Sequence, residues 1–311
     1  MSILTVTLHP ALDRVLRGDR LRPNGTMRTK IEMEYCGGKG NNVARALVRL
    51  GQSATAIGFQ GGYTGDFATQ QLASEGVTTA FINCQKPTRI SNLLHEDETG
   101  YTYAIYEPGQ TVTADEIDCL RKRFEDLVRA HDLILFCGSA QTKLLAPVFG
   151  ELIQQANHYG IPTLLDSSGE ALKLGVIAKP YLVKVNNHEL TELFDIPLNN
   201  LEDQIKALNE LCEKGIQIAA MTLGEKGMIA TDGSQVLRGL LPLKKVINTV
   251  GCGDSTLAGV AYAILNHPSL PEIIRWGVAC GAANTQTSGA GFITMSIVES
   301  YLSKVSIVSL D

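Results

Sequence analysis

The sequence predicts an α/β protein whose mostly parallel sheet carries helices on both faces. Helix-like stretches and short apolar strands alternate through the second half of the chain, the pattern of repeated βαβ units. Glycine clusters stand where apolar segments run into helices, at 37–40 and 251–253. With 311 residues and a hydrophobic fraction of 44%, the chain can bury a large core.

Residues 3–8 (ILTVTL) form a β-prone run ended by His9-Pro10, because the residue before a proline avoids the helical region. Asn42–Leu50 sets apolar residues at 43, 44, 47 and 50, a helical spacing, and Gly51 stops that helix before the apolar strand TAIGF. Further on, DEIDCLRKRFEDLVRA leads into DLILFCGS, PVFGELIQQANHYG into IPTLLDSSG, and NLEDQIKALNELCEKG into IQIAAMTLG. The glycine turn at 251–253 opens the helix DSTLAGVAYAILN, and PEIIRWGVACGAANTQT is another helix. Two segments, 13–35 and 89–107, alternate polar and apolar residues instead, and predict half-exposed antiparallel strands, the second a hairpin turning at Asp97–Gly100. No repeat or long linker separates these parts. We therefore expect one core formed by residues 1–12, 36–87 and 109–311, with a small sheet attached through 13–35 and 88–108.

Composition narrows the function classes. Net charge is −5, from 27 Lys and Arg against 32 Asp and Glu, with no long basic block, so no broad nucleic-acid footprint is expected. The opening residues lack a basic targeting segment and no stretch approaches the roughly 18 apolar residues of a membrane span, which predicts a soluble, cytoplasmic protein. Seven cysteines without a C-x-x-C, an odd number, argue for a reducing compartment. The six histidines show no metal-binding spacing.

In open parallel sheets, ligands bind where strand ends lead into helix N-termini, whose free N–H groups and dipole favour anions. Gly37-Gly38-Lys39-Gly40-Asn41-Asn42 occupies such a position; it reads equally as an anion cradle or as a tight turn capped by asparagine. Thr249-Val250-Gly251-Cys252-Gly253-Asp254 is the second such stretch. Asp254 there is either a helix-capping carboxylate or a base beside an anion hole. Neither stretch is a Walker A loop or a dinucleotide fingerprint. Gly289-Ala290-Gly291 reads as a simple loop.

Taken together, TVTLHPALD, GGKGNNVARALVRLG, GGYTGDF, Thr88-Arg89, LLDSSGEAL, NNHEL, TLGEKGMIA and TVGCGDSTLAG, in that order, resemble the ribokinase-like PfkB sugar kinases over essentially the whole chain. The similarity is greatest to the branch containing 1-phosphofructokinases and tagatose-6-phosphate kinases. The resemblance implies a three-layer α/β/α ribokinase-like core with a small β-sheet lid, the lid often supplying a dimer contact. It implies transfer of the γ-phosphoryl of ATP, with Mg²⁺, to a hydroxyl of a ketohexose monophosphate such as fructose 1-phosphate, tagatose 6-phosphate or fructose 6-phosphate.

By the same resemblance, Asp254 is the base and the amides of Gly251, Cys252 and Gly253 form the anion hole. Asp13, Gly38, Lys39 and Asn42 contact the sugar, and Arg28, Lys39 and Arg89 match basic positions of the sugar-phosphate branch. Asn186, Thr222, Gly224, Gly227 and Asn284 match nucleotide positions, and Glu189 organises Mg²⁺ through its water shell. Three departures from the branch stand out. His9 replaces an asparagine, Val185 a proline, and Cys137–Gln141, with Ser139 expected near substrate, an otherwise different loop. Lys184 and Asp166 read as phosphate or metal contacts or as a salt bridge at the edge of the core. The rival readings are a kinase of a free sugar or nucleoside, and a non-catalytic sugar-phosphate-binding regulator on the same scaffold.

Overall fold

The computed structural model describes residues 1–310. Strand β1 (Ser2–Thr7) is followed by β2 (Ala11–Gly18) and β3 (Lys30–Gly37), then α1 (Lys39–Arg49), β4 (Ser53–Gly61) and α2 (Gly62–Ser74). Two short strands, β5 (Thr78–Thr79) and β6 (Ile82–Cys84), precede β7 (Ile90–Glu96) and β8 (Thr102–Tyr106). The alternating half comprises α3 (Ala114–Val128), β9 (Leu133–Cys137), α4 (Val148–His158), β10 (Thr163–Asp166), α5 (Gly169–Ile177), β11 (Leu182–Asn186), α6 (Asn187–Phe194), α7 (Leu201–Glu213) and β12 (Ile218–Thr222). It closes with β13 (Met228–Thr231), β14 (Val236–Leu240), α8 (Cys252–Asn266), α9 (Leu270–Asn284), α10 (Met295–Leu302) and β15 (Ser306–Ser309).

The large sheet runs in the order β15-β14-β13-β12-β11-β10-β9-β1-β4-β5, with β6 also on β4. Strands from β5 to β12 along this path pair in parallel, whereas β13, β14 and β15 add an antiparallel edge that the helix–strand alternation in the sequence did not reveal. Side chains alternate between two apolar layers: Leu133, Leu135 and Cys137 of β9 face α1, α8 and α9, and Ile134 and Phe136 face α3 and α4. This sandwich explains why the strands read as continuous apolar runs. Among the described residues, no helix is long and apolar enough to cross a membrane.

The small sheet has the order β3-β2-β7-β8. Its β7–β8 hairpin turns at 97–101, but β2 and β7 pair in parallel, Asp13 opposite Ser91, so the small sheet is mixed rather than wholly antiparallel. The reason is topological. Both strands leave the large sheet in the same direction, and the Leu12 N–H donates to the Arg89 carbonyl at their common point of departure (2.8 Å).

Helix starts differ in how their first N–H groups are met. Thr113 with Glu116 and Asn186 with Glu189 form reciprocal capping boxes on α3 and α6, and Asn200 caps α7. By contrast, α1 and α8 begin from Gly38 and Gly251, both with positive φ, and no side chain caps either one. α1 and α8 are the two helices entered from a glycine with positive φ, and their first turns face the same space.

The packing yields a stability prediction. Phe136 on central β9 lies against Phe124 and Phe149, with ring centroids 6.0 and 5.5 Å away, and is fully buried. Phe136→Ala should cost about 3–5 kcal/mol, seen as a lower urea midpoint with an unchanged slope.

Candidate active site

The carboxyl ends of β1, β9, β10 and β11 open into a cavity of about 320 Å³ roofed by the small sheet. Its wall brings together His9, Asp13, Gly38, Lys39, Asn42 and Arg89 from the first third of the chain with Ser139, Glu189 and Val250. The two glycine stretches meet here. The Asn42 amide donates from Nδ2 to Oδ2 of Asp254 at 2.8 Å, joining the first turns of α1 and α8 across 212 positions of sequence. Asp254 is therefore held from outside its own helix rather than spent as a cap.

Charge is concentrated below that contact. Asp166, at the end of β10, holds Lys184 Nζ at 2.7 Å on one oxygen and Lys39 Nζ at 2.9 Å on the other. Burial opposes charge on Asp166, yet the two ammonium groups keep its carboxyl below the usual range. Lys39 also lies 3.4 Å from Glu189, whose second oxygen caps α6 by accepting from the Asn186 N–H (2.8 Å). Burial works against the Lys39 ammonium, but Asp166, Glu189 and Asp254 outweigh it and hold its pKa above the ordinary value. Lys184 Nζ stands 3.7 Å from where a β-carbon on Gly253 would be, so a cation lies beside the α8 N-terminus.

Asp254 itself is buried but keeps a small exposed surface. Burial raises its pKa, opposed chiefly by Lys39, while Asp166 adds to the rise. Asp13 is pushed up to about 6 by burial, against Arg89 and Arg45. It fits because Gly37, two residues along β3 from its partner Tyr35 and on the same face, leaves space; a β-carbon there would lie 2.2 Å from the carboxylate. Arg89 donates to the backbone carbonyls of Pro10 (3.3 Å) and Glu107 (3.5 Å) and, among the described residues, forms no ion pair. Its charge is available to the cavity.

His9 is neutral at neutral pH: burial, reinforced by Arg89, lowers its pKa to about 4. Its Nε2 is buried without a partner against Gly109, where a β-carbon would come within 2.0 Å. Cys252 at the head of α8 has its thiol pKa raised by burial, which removes any case for a nucleophilic thiolate there.

Two expected site residues lie elsewhere. Arg28 sits exposed in the connection between β2 and β3, outside the cavity wall, because that connection runs away from the α1 N-terminus. Asn284, expected beside an adenine, has no exposed surface. Its Oδ1 accepts from Ser255 Oγ (3.0 Å) and Gly291 N–H (2.8 Å), and its Nδ2 donates to the Val250 carbonyl (2.8 Å), so the amide is consumed in fastening the α8 loop. Asn186 and Thr222 stand opposite each other at the ends of β11 and β12, and the Gly224–Lys226 turn with Gly227 follows directly. Gly227 has φ of 82° and a β-carbon would strike the Gly239 carbonyl at 1.9 Å, so this turn requires glycine.

Sequence reasoning missed Ser91, Leu93 and Tyr106, which reach the cavity from β7 and β8, and Ser168 from the end of β10. Alternation along the small sheet would have selected them had its cavity-facing side been known. It also missed Arg45, fully buried behind Asn42, and the 289–291 loop, whose Ala290 carbonyl accepts from Arg45 (3.1 Å) while Ala290 packs over Gly251. That loop braces both glycine stretches.

Comparison with known proteins agrees with this arrangement. The family model described as pfkB family carbohydrate kinase matches residues 11–296. A 1-phosphofructokinase of Bacillus subtilis is 30% identical over 308 residues, covering 99% of this chain and 100% of that protein. The phosphofructokinase-2 of Escherichia coli, solved in complex with substrates and products, superposes with a TM-score of 0.90 at 31% identity, covering 97% of this chain and 99% of that one. A possible 1-phosphofructokinase of Thermotoga maritima shares the fold, with a TM-score of 0.90 at 23% identity over the full length of both chains. With the fold, the two joined glycine stretches and a match across nearly its whole length, this chain belongs to the pfkB family of carbohydrate kinases.

Proposed function

We propose that this protein transfers the γ-phosphoryl of ATP to a hydroxyl of a ketohexose monophosphate, giving a bisphosphate. The observation that carries the reading is the 2.8 Å bond from Asn42 to Asp254, which puts a buried carboxylate where two uncapped helix N-termini converge. Asn42 occupies one oxygen of Asp254, and the other can take the proton of an attacking sugar hydroxyl as its oxygen bonds to the γ-phosphorus and the bond to ADP breaks. The α8 amides at Gly251, Cys252 and Gly253, with Lys184 beside them, suit charge spreading over the transferred group. Asp13 is an acceptor for sugar hydroxyls, alongside Gly38 and Ser139.

Arg89 favours a phosphorylated sugar over a free sugar or nucleoside. An arginine at the cavity wall whose hydrogen bonds go to backbone carbonyls, with its guanidinium over the Tyr106 ring, suits a dianionic substituent. The names of the relatives, 1-phosphofructokinase and phosphofructokinase-2, support the same class. The nucleotide is assigned to the groove past Asn186, Thr222, Gly224 and Gly227.

Magnesium fits a site of this kind, since Mg²⁺ keeps most of its waters and is held chiefly by substrate phosphates. Glu189, at the cavity wall 3.4 Å from Lys39, is the carboxylate assigned to the ion's water shell. When bound, Mg²⁺ neutralises charge on the phosphates.

The small sheet, with its connections at residues 13–35 and 88–108, acts as a lid that excludes water from the cavity. Its register puts Asp13, Ser91 and Tyr106 on the cavity side and Leu16, Leu94 and Ile105 on the other. Leu94 is buried, but Ile31, opposite Leu16, and Ile105 are exposed there and give that outer side apolar surface suited to pairing with a second copy. A cytoplasmic location accords with the metabolic class.

Three tests follow. ADP release measured across fructose 1-phosphate, fructose 6-phosphate, tagatose 6-phosphate, free sugars and nucleosides should show turnover only with phosphorylated ketohexoses. In the same assay Asp254→Asn should lower kcat roughly 10²–10⁴-fold while ATP binding persists; turnover restricted to free sugars or nucleosides would reject the substrate class. Since burial raises the pKa of Asp254 and puts that of Asp13 near 6, activity should disappear as pH falls through about 6 rather than near the 3.8 of an ordinary aspartate. An acid limb of kcat/KM near the ordinary value would show that neither buried carboxylate governs turnover. For the lid, Ile105→Lys should shift the sedimentation coefficient from dimer to monomer, and a monomeric wild type would exclude pairing through this face.

A further inference from the structure

We propose that Arg45 is a positioning residue for phosphoryl transfer, acting through Asn42 to fix which end of that amide meets Asp254. Asn42 and Arg45 lie one turn apart on α1, a spacing that puts both side chains on the same face of the helix. Arg45 Nη1 donates to Asn42 Oδ1 (3.1 Å), and Asn42 Nδ2 donates to Asp254 Oδ2 (2.8 Å). A guanidinium carries only donors, so the amide oxygen must face it and the amide N–H must face the carboxylate. With the amide reversed, its oxygen would oppose a carboxylate and its N–H groups a cation.

The guanidinium is itself unable to turn. Nη1 also donates to the Ala290 carbonyl (3.1 Å) and Nη2 to the Cys36 carbonyl (2.8 Å), and Nε is paired with Glu75. The plane lies against the rings of Phe292 and Tyr35, 4.6 and 5.0 Å from their centroids. Arg45 has no exposed surface. A buried ion pair with Glu75 alone is weak evidence for stability and could be replaced by apolar residues. The Nη1 bond to Asn42 is what a purely structural arginine does not need. Its effect is to leave one Asp254 oxygen free for the acceptor hydroxyl and to keep a donor on the other, which favours the ionised base against burial.

The inference rests on the kinase reading, and its test separates the two. Arg45→Met/Glu75→Gln removes both partners, so no unpaired buried charge remains and the net charge near the site is unchanged. The charged and titratable groups facing Asp254 are Lys39, Lys184, Asp166, Asp13, Tyr35, Cys137 and Cys252, and those facing Arg45 are Glu75, Asp13, Tyr35 and Cys36; all but Glu75 are kept. In the folded double variant, kcat should fall about tenfold or more and the acid limb of activity should move up by about one pH unit, with ATP binding unaltered. Wild-type kcat and acid limb would overturn the proposal. Combining the pair with Asn42→Ala should lose less than the two separate losses multiplied, since both act on Asp254 through one amide; a fully multiplicative loss would show that Arg45 acts independently of Asn42. Arg45→Lys keeps the ion pair but lacks the fork, so it should fold and remain slow, and full activity would overturn orientation as the cause. Carboxyl ¹³C titration of Asp254 reports without turnover: its pKa should rise in Asn42→Ala and in the double variant alike. An unmoved pKa in both overturns the relay, whereas a wild type inactive on every sugar with this pKa shift intact refutes only the assigned reaction.

Discussion

The site depends on one contact, the hydrogen bond that ties the first turn of α1 to the first turn of α8. Each of those helices begins at a glycine with positive φ and without a side-chain cap, leaving N–H groups and the positive dipole end directed at shared space. Two such ends repel each other unless something anionic lies between them. In the resting protein part of that role falls to Asp254, which accepts from Asn42; a phosphate would fill the rest. A hydrogen bond to a charged group contributes about 1.5–3 kcal/mol, enough to hold the two helix ends in register but not to replace a bound anion.

Beneath the contact, one carboxylate serves two cations. Asp166 and Lys184 are almost wholly buried, and an ionised side chain in such surroundings persists only when paired. The arrangement has a consequence for electrostatics at the α8 end. The two ammonium groups are balanced by Asp166 and Glu189, but Lys184 lies on the α8 side of the cluster and Lys39 on the cavity side. The field at the glycine amides is thus built into the end of β10 and β11 rather than supplied by mobile surface lysines, and it is little screened by salt.

Much of this was legible in the sequence because glycine and chain order carry it. The alternating half of the chain betrays the parallel sheet, and GGKGNN and GCGD are both short, local patterns whose backbone demands can be read directly. What stayed hidden depends on distance in space. Asn284 lies in a segment that fits a nucleotide contact, but three partners from residues 250, 255 and 291 consume its amide, and no local pattern shows that. Arg28 carries the right charge on a polar segment, and only the path of the β2–β3 connection takes it away from the cavity. The parallel pairing of β2 with β7 is likewise invisible, since alternation is the same for either direction.

That parallel pairing has a mechanical consequence. Asp13 and Ser91 are direct neighbours on β2 and β7, and Arg89 is bound to the start of β2 twice, through its own carbonyl accepting from Leu12 and its guanidinium donating to Pro10. The roof groups therefore belong to one sheet and shift together, whereas Lys39, Asn42 and Asp254 belong to the rigid core. An antiparallel lid made of two independent hairpins would let the sugar-facing carboxylate and the arginine move separately. On the proposed function, a closing small sheet would carry both towards the acceptor together, with the base and the anion-binding amides held by the core helices. Recognition and chemistry would then be divided between two layers, one bearing Asp13 and Arg89 and the other Asn42 and Asp254.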